Sequence, residues 1–220
     1  MTLFYTVAKA IVAPVVRLIW APRVTGLENI PRDGGFIVAS NHLANVDSFL
    51  IPVVLPRALR FVSKDDFWKR TGLTGRIQRW FFNTVGAVPL DRQALSSGKG
   101  ALDTALVILR DGDGFGIYPE GSRSKDGLLH AGKPGAAWLA LESGCPVVPI
   151  GLTGTPRLFE RKGLPPRGVV TVRVGTPIHV DDIDPSLPTG ARRRLLTERI
   201  MTSIQELSGQ ERAPGPAARS

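Results

Sequence analysis

The stretch VASNHLANVDSFLIP, residues 38–52, runs from an apolar segment into Asn-His and then into a second apolar segment. Its histidine, His42, and its aspartate, Asp47, are five positions apart. On one helix, positions five apart lie about 140° from each other and cannot share a face. The two side chains can therefore cooperate only if His42 lies on a turn and Asp47 in the first turn of the helix that follows. The stretch predicts a strand, a turn and a helix, with the polar pair at the carboxyl end of the strand, where α/β proteins place functional groups.

Strand-like and helix-like segments alternate along the rest of the chain. The predicted strands cover 36–40, 59–64, 86–90, 145–154 and 169–175, a further strand in 114–121 leads into a turn, and helices cover 47–55, 98–112, 133–144 and 188–208. Such alternation predicts an α/β fold, a single domain with a largely parallel mixed sheet flanked by helices. We expect this domain to span 24–208, after an amino-terminal membrane-associated helix in 1–23 and before a disordered tail over 209–220.

Composition indicates a basic globular protein. Of the 220 residues, 43% are hydrophobic, which is enough for a core and too many for a disordered chain. The net charge is +9, and the segment 57–79 alone carries seven basic residues against two acidic ones. Such a surface attracts polyanions, which include nucleic acid, anionic lipid and phosphorylated substrates. The one cysteine, Cys145, excludes an intramolecular disulfide bond and fits a reducing compartment.

The amino-terminal stretch LFYTVAKAIVAPVVRLIW, residues 3–20, is apolar but contains Lys9, Arg17 and a proline. A membrane-spanning helix needs about 20 mostly apolar residues, so this stretch is a poor candidate for one. It has no small-residue cleavage site, which argues against a secretory signal. We expect an interfacial or shallowly re-entrant helix with Trp20 and Arg23 at the membrane boundary. The alternative is a helix that packs on the core of the domain.

His42 and Asp47 carry the first chemical hypothesis. Histidine titrates near neutral pH and is a natural general base, and a carboxylate on its far ring nitrogen fixes the tautomer and stabilises the imidazolium. The structural alternative is that Asn41 and Asp47 only cap a helix. The sequence has no Gly-x-Ser-x-Gly motif, and Cys145 lies in an apolar segment that suits a buried thiol. A base without an evident protein nucleophile suggests that a hydroxyl of the substrate is the nucleophile.

The stretch GIYPEGSRSKDG, residues 116–127, carries the second hypothesis. Gly121 permits a tight turn whose backbone N–H groups can face an anion, and Arg123 offers a planar fork suited to phosphate. Glu120 could orient that arginine or a substrate hydroxyl. A Pro-Glu-Gly turn is also common as plain structure, so this stretch alone leaves the structural interpretation open.

Four stretches together resemble the motif blocks of a known family. NHLANVD, GAVPLDR, YPEGSRS and CPVVPIGLTGT have the order and spacing of the four blocks of the glycerolipid acyltransferase family, and the likeness is strongest to its bacterial 1-acyl-sn-glycerol-3-phosphate (lysophosphatidate) acyltransferases. The resemblance covers roughly 26–154. It departs at Ala44, where the family usually has Ser or Thr, and at Tyr118 and Ser122, where it commonly has Phe and Thr. Ala44 removes a hydroxyl, which bears on a minor contact and on the choice of substrate.

The resemblance implies a role for each matching residue. His42 would deprotonate the free hydroxyl of a lysophospholipid while Asp47 holds the imidazole, and the resulting oxygen would attack an acyl thioester and release the thiolate of CoA or acyl carrier protein. The residues implied to bind the glycerol phosphate are Arg92, Glu120, Gly121 and Arg123.

Three further assignments concern the turn at 121–122, Lys64 and Arg92. From turn chemistry we infer that the N–H groups of Gly121 and Ser122 face the developing oxyanion. Lys64, after the strand LRFVS, is a further candidate for binding phosphate. Arg92 follows a short strand, and its structural alternative is a surface ion pair with Asp91.

The implied substrates also indicate partners and location. They are lysophosphatidate, membrane lipids, and acyl-CoA or acyl carrier protein as co-substrate, with no metal and no other cofactor. The basic stretch 57–82, which also carries aromatic residues, and the amino-terminal helix suit an anionic membrane surface, where each Lys or Arg contributes about 1 kcal/mol. Acyl thioesters are cytosolic, so the resemblance implies a monotopic or peripheral protein on the cytoplasmic face of the cell membrane.

Two alternative functions stay open. One is transfer to another lysolipid or polar-lipid acceptor, or from a phospholipid donor. The other is a non-catalytic protein that binds anionic membranes, against which the His42–Asp47 pair and Arg123 argue. Nucleic acid is not expected as a partner, because no stacked-aromatic RNA motif is present. His130 and His179, with His42, lack the spacing of zinc ligands and are interpreted as ordinary surface or loop residues.

Overall fold

The stretch at 38–52 lies where a buried central strand meets a short helix. The computed structural model describes residues 3–64, 66–69, 71–72, 74–76, 79, 86–90, 99–158 and 167–214. The strands among them are β1 (Arg23–Thr25), β2 (Phe36–Ser40), β3 (Leu59–Lys64), β4 (Ala87–Leu90), β5 (Gly114–Ile117), β6 (Val147–Thr153) and β7 (Thr171–Val174). The α-helices are α1 (Leu3–Ile19), α2 (Asp47–Val54), α3 (Asp66–Lys69), α4 (Lys99–Arg110), α5 (Gly135–Ser143) and α6 (Thr189–Ser208). The predicted strand, turn and helix around His42 are confirmed, and α2 begins at Asp47.

The strands form one sheet in the order β1-β7-β6-β2-β5-β3-β4. Strands β6 and β7 are antiparallel, and the other pairs are parallel. Strand β2 lies at the centre, where Ile37 is paired with Phe115 of β5 on one side and with Val147 of β6 on the other. All five residues of β2 are buried, as expected for a parallel strand covered on both faces. The chain is therefore an α/β domain with a mostly parallel mixed sheet.

Alternate residues of β2 serve two cores, because neighbouring side chains of a strand point to opposite faces. Phe36 and Val38 pack in the core beneath α1 and α2. Ile37 and Ala39 pack in the core beneath α4, α5 and α6. The apolar run FIVAS therefore fixes the middle of a helix–sheet–helix sandwich.

The chain leaves β2 and β5 in opposite directions. Strand β2 leads through α2 to β3, on the far side of β5, whereas β5 leads through α5 to β6, on the far side of β2. Adjacent parallel strands with diverging connections open a crevice at their carboxyl ends, where α/β proteins bind ligands. The stretches NHLANVD and YPEGSRS follow these two strand ends, so the topology brings the two hypothetical halves of the site together.

Helix α1 packs on the domain through one side. Val16 is buried in the core, and the ammonium group of Lys9 donates hydrogen bonds to the carbonyl oxygens of Leu55 and Arg57, just beyond α2. Burial, together with the charge of Arg17, lowers the pKa of Lys9 to about 8. The helix thus has the buried side that the core-packing alternative predicts.

The other side of α1 is apolar and exposed. Its large side chains Ile11, Val15 and Leu18 are exposed by 61%, 49% and 67%. Trp20, which we predicted to lie at the membrane boundary, packs edge-on against Phe49 of α2 with the ring centroids 5.9 Å apart. Among the residues that the structure covers, no helix is both long enough and apolar enough to cross a membrane.

Residues 209–214, which we predicted to belong to a disordered tail, make backbone hydrogen bonds to the domain. The amide of Leu129 donates to the carbonyl of Glu211 over 2.8 Å, and the amide of Ala213 donates to the carbonyl of Leu129 over 2.9 Å. Low hydrophobicity suggested disorder, but backbone pairing with a loop distant in sequence leaves no trace in composition. Residues 215–220 and part of the basic stretch 57–82 (65, 70, 73, 77, 78 and 80–82) lie outside the described residues.

Candidate active site

His42 and Asp47 meet at the carboxyl end of β2. The Nδ1 atom of His42 lies 3.0 Å from Oδ2 of Asp47. Asp47 is fully buried, whereas 15% of the His42 side chain is exposed. The carboxylate occupies Nδ1 and leaves Nε2 as the ring nitrogen available to a substrate, the arrangement of a general base with its orienting carboxylate.

Asp47 is itself held by the turn that it follows. Its Oδ2 atom also accepts the N–H groups of Leu43 and Ala44, over 2.6 and 2.8 Å. As the first residue of α2, it lies at the positive end of the helix dipole, which stabilises a carboxylate. Neither Asn41 nor Asp47 caps α2, as the structural alternative had it: the cap residue is Val46, without a side-chain cap hydrogen bond. Oδ2 of Asp47 instead closes the turn before the helix and orients His42. Ala44, which lacks the hydroxyl usual in the family, contributes its backbone N–H to this turn.

Tyr118 packs on the same imidazole. It directly follows β5, and its ring is nearly parallel to that of His42, with centroids 3.9 Å apart and planes at 9°. Its hydroxyl lies 2.9 Å from Oγ of Ser48 on α2. The ring of Phe61 on β3 also stacks on Tyr118, at 5.3 Å between centroids. Three elements thus hold the aromatic ring that covers His42.

Glu120 links the loop of His42 to the loop after β5. Its Oε1 atom accepts the N–H of His42 over 3.3 Å, and its Oε2 atom accepts the N–H of His130 over 3.0 Å. The amide of Ser124 adds a bond to the carbonyl of His42 over 2.8 Å. Glu120 is almost fully buried. It does not pair with Arg123, so in this structure it does not orient that arginine. That it binds the acceptor stays a prediction.

Gly121 forms a tight turn. Its N–H donates to the carbonyl of Tyr118 over 2.9 Å, and its φ of +75° favours glycine. A Cβ at this position would also lie 2.6 Å from Nζ of Lys133, so the lysine stem occupies the space that a side chain would need. We predicted that the N–H of Gly121 faces the developing oxyanion. In the structure this N–H donates within the turn, so it is not available to an oxyanion. The N–H of Ser122 has no acceptor among the described residues.

Three exposed cations border this turn. Arg123, Lys125 and Lys133 all contribute to the wall of one cavity. The guanidinium of Arg123 makes no hydrogen bond or ion pair with any residue that the structure describes. The sequence did not point to Lys133, because nothing in the segment before α5 indicates that the chain returns to the Pro-Glu-Gly turn.

The cavity that these residues share has a volume of about 1130 Å³. His42, Ser48 and Ser122 line it together with the three cations. Its apolar wall includes Phe61, Val62, Leu102, Phe115 and Ile117. The pocket therefore offers a base, positive charge and an apolar region within one space.

A buried amide network supports the loop from behind. Asn41 is fully buried; its Oδ1 accepts the N–H of Leu152 over 2.7 Å, and its Nδ2 donates to the carbonyl of Leu152 over 2.9 Å. The same Nδ2 donates to Oε1 of Gln210 over 2.6 Å, and Nε2 of Gln210 donates to the carbonyl of Gly127 over 2.8 Å. Gln210 thus joins the residue before His42 to the loop that carries the cations.

Two other predicted residues lie wholly or partly outside the described residues. Arg92 is outside the described residues, and so is the side chain of Lys64, whose backbone ends β3. His130, interpreted as an ordinary loop residue, lines the cavity, and its Nε2 lies 3.0 Å from Oδ1 of Asp126. Within the described part of the chain, no three His, Cys, Asp or Glu residues are placed to hold a metal ion.

Comparison with known proteins gives concordant matches. The model of the family described as Acyltransferase matches residues 21–153. The chloroplastic 1-acyl-sn-glycerol-3-phosphate acyltransferase LPAT1 of Arabidopsis thaliana is 34% identical over 73% of this chain, which spans only 44% of that relative's length. The 1-acyl-sn-glycerol-3-phosphate acyltransferase of Bacillus subtilis is 28% identical, over 86% of this chain and 88% of its own. The crystal structure of PlsC, the 1-acyl-sn-glycerophosphate acyltransferase of Thermotoga maritima, matches with a TM-score of 0.68 at 25% identity, over 92% of this chain and 79% of that one.

Proposed function

Because this chain belongs to the acyltransferase family, we propose that it moves a fatty acyl group from acyl-CoA or acyl carrier protein to 1-acyl-sn-glycerol-3-phosphate. The acceptor is the free sn-2 hydroxyl, and the product is phosphatidic acid, a precursor of phospholipids. One observation carries the proposal: the His42–Asp47 pair opens on a cavity whose wall also holds Arg123, Lys125 and Lys133. The printed names of the bacterial relatives support the choice of acceptor.

The base acts on the acceptor hydroxyl. Nε2 of His42 takes the proton as the hydroxyl oxygen attacks the thioester carbonyl, while Asp47 remains ionised and stabilises the imidazolium. The tetrahedral intermediate then collapses, the carbon–sulfur bond breaks, and the thiolate leaves with the proton from the imidazolium. No acyl-enzyme is needed in this sequence. Such a base contributes about 10²–10⁴ in rate.

Positive charge at the cavity holds the acceptor phosphate. Arg123 can form two parallel charge-assisted hydrogen bonds with a phosphomonoester, and Lys125 and Lys133 add charge nearby. Arg92, implied by the resemblance, belongs to the same proposed group. We propose that Glu120 also has a positioning role, because both of its oxygens accept backbone amides.

The exposed side of α1 provides contact with the bilayer. Three large apolar side chains on one side of a helix suit insertion at the level of the lipid headgroups, and the net charge of +9 favours an anionic surface. The substrate and product of the reaction are both membrane lipids. We propose that the protein acts on the cytoplasmic face of the cell membrane, as a monotopic or peripheral enzyme, because acyl thioesters are cytosolic.

A lipid-product assay tests the proposal. Purified full-length protein is incubated with radiolabelled acyl-CoA or acyl carrier protein and with a panel of lysolipids that differ only in headgroup. We expect labelled phosphatidic acid from lysophosphatidate, and about 10²–10⁴-fold slower product formation by the His42→Ala variant. Faster transfer to a lysolipid that lacks a phosphomonoester would replace the proposed acceptor, whereas absence of transfer to every acceptor would overturn the proposed function.

A further inference from the structure

The ring of Tyr118 covers one face of the His42 imidazole closely. The centroids lie 3.9 Å apart and the planes are within 9° of parallel, so the two rings are stacked face to face. A ring in this position restricts rotation of the imidazole out of its plane. Asp47 restrains the same imidazole through Nδ1. The base is therefore fixed by an in-plane hydrogen bond and by a surface parallel to the plane.

The Tyr118 side chain is itself held at its hydroxyl and at its ring. Its hydroxyl bonds to Ser48, which is next to Asp47 on α2, and Phe61 stacks on its ring. Burial, with a smaller contribution from the charge of Asp47, raises the pKa of Tyr118 well above 10. The hydroxyl therefore stays protonated, and the ring remains a neutral π surface beside the imidazole.

We propose that Tyr118 is a positioning residue that acts through His42: its ring keeps the imidazole in the reactive plane and stabilises the imidazolium that forms as the acceptor hydroxyl loses its proton. Only the second part of this inference, the stabilisation of the imidazolium during proton transfer, rests on the proposed function. The negative face of an aromatic ring attracts a cation, and at a partly buried site the attraction is worth roughly 5- to 30-fold in an equilibrium. Only the charged form of His42 gains from it, so the gain grows with proton transfer.

Other charges around His42 are shared by all variants of Tyr118. Among the described residues, the titratable groups that surround the imidazole or line its cavity are Asp47, Glu120, Arg123, Lys125, Asp126, His130 and Lys133. A substitution at Tyr118 leaves these groups in the protein, so differences between Leu and Phe at this position report on the ring.

The experiment compares Tyr118→Leu with Tyr118→Phe. We expect Tyr118→Leu to lower kcat about tenfold with little change in KM for either substrate, and to move the acid limb of the kcat/KM profile about one unit to lower pH. Tyr118→Phe retains the ring and should restore most of the rate and the position of the limb. Phe36→Leu, a buried aromatic change away from the cavity, serves as the stability control.

A second readout does not depend on any substrate. The ring signals of His42, identified by their loss in His42→Ala, are followed by NMR through their pH titration in the full-length protein. We expect the midpoint to fall in Tyr118→Leu and to return in Tyr118→Phe; Tyr118→Met replaces the leucine variant if that one does not fold. An unmoved midpoint in the variants without a ring would overturn the inference. A loss of rate of the same size in Tyr118→Phe would also overturn the inference. A loss of rate that only parallels a fall in melting temperature, as in Phe36→Leu, would do the same. Because the titration needs no acyl transfer, its result is separate from a failure of the proposed function.

Discussion

The two sides of the cavity differ in how firmly their functional groups are held. On one side, Asp47 is fully buried and its Oδ2 atom meets three partners, so His42 has a single orientation. On the other side, Arg123 is exposed and makes no bond within the described residues, and Lys125 and Lys133 are exposed too.

The contrast matches two different physical tasks. Proton transfer requires the base within about 3 Å of the proton that it removes, so the base is fixed before the substrate arrives. Recognition of a charged headgroup requires charge and reach, which long exposed side chains supply without a fixed geometry. Substitutions on the first side should therefore change kcat, and substitutions on the second should change KM.

The largest effect is expected from His42→Ala. It removes the base, so kcat should fall about 10²–10⁴-fold. The side chain is partly exposed and its removal leaves Asp47 bonded to two amides, so the melting temperature should change little. Steady-state assays, thermal melts and liposome binding measure the three quantities. Near wild-type turnover of His42→Ala would show that His42 is not the base. The contrast between the two sides of the cavity would then fail as well.

Asp47→Asn should have the next largest effect, about 10²-fold or more on kcat, because the amide favours the wrong tautomer of His42. Unlike His42→Ala, it also disturbs the buried turn, since Oδ2 closes that turn through Leu43 and Ala44. The melting temperature should therefore fall as well. Kinetics and melts measured on both variants separate the two contributions, and an unchanged kcat in Asp47→Asn would contradict the orienting role.

Arg123→Lys tests the other side of the cavity. Lysine keeps the charge but loses the bidentate fork, so KM for lysophosphatidate should rise about tenfold while KM for the acyl donor stays the same. Arg123 is exposed, so the melting temperature should not change. Each substrate is varied in turn at saturating concentration of the other. Equal losses for donor and acceptor, with a lower melting temperature, would mean that Arg123 braces the turn.

The smallest effect on turnover is expected far from the cavity. Changing Ile11, Val15 and Leu18 together to Ser should leave kcat with detergent-dispersed substrate unchanged, because these side chains are exposed. Co-sedimentation with anionic liposomes should fall about tenfold or more, since apolar insertion is lost. Val16→Ser, on the buried side of the same helix, is the matched control and should lower stability instead. Unchanged liposome binding of the triple variant would place the membrane contact elsewhere.

The elements that sequence patterns predicted best are those set by local periodicity. The spacing of His42 and Asp47 required a turn before a helix, and the apolar run 36–40 required a buried strand, and both depend on neighbours in the chain. Lys133 and Gln210 could not be found in this way. Each acts on a segment that only the folded chain brings near, Lys133 on Gly121 and Gln210 on Asn41. The stacking of Tyr118 on His42 likewise depends on the pairing of β5 with β2, which no local pattern encodes.

The bond between Gln210 and Asn41 also has a consequence for biosynthesis. The two residues are 169 positions apart, so at roughly 5–20 residues per second the ribosome adds Gln210 roughly 8–34 s after Asn41. During that interval β2, α2 and β5 can already have left the exit tunnel, and the His42 turn can form without its support. The backing of the loop, with the pairing of Glu211 and Ala213 to Leu129, arrives only later. A nascent chain that ends between 153 and 209 therefore carries His42, Asp47 and the bonds of Asn41 to Leu152, but lacks the part of the amide network that Gln210 supplies.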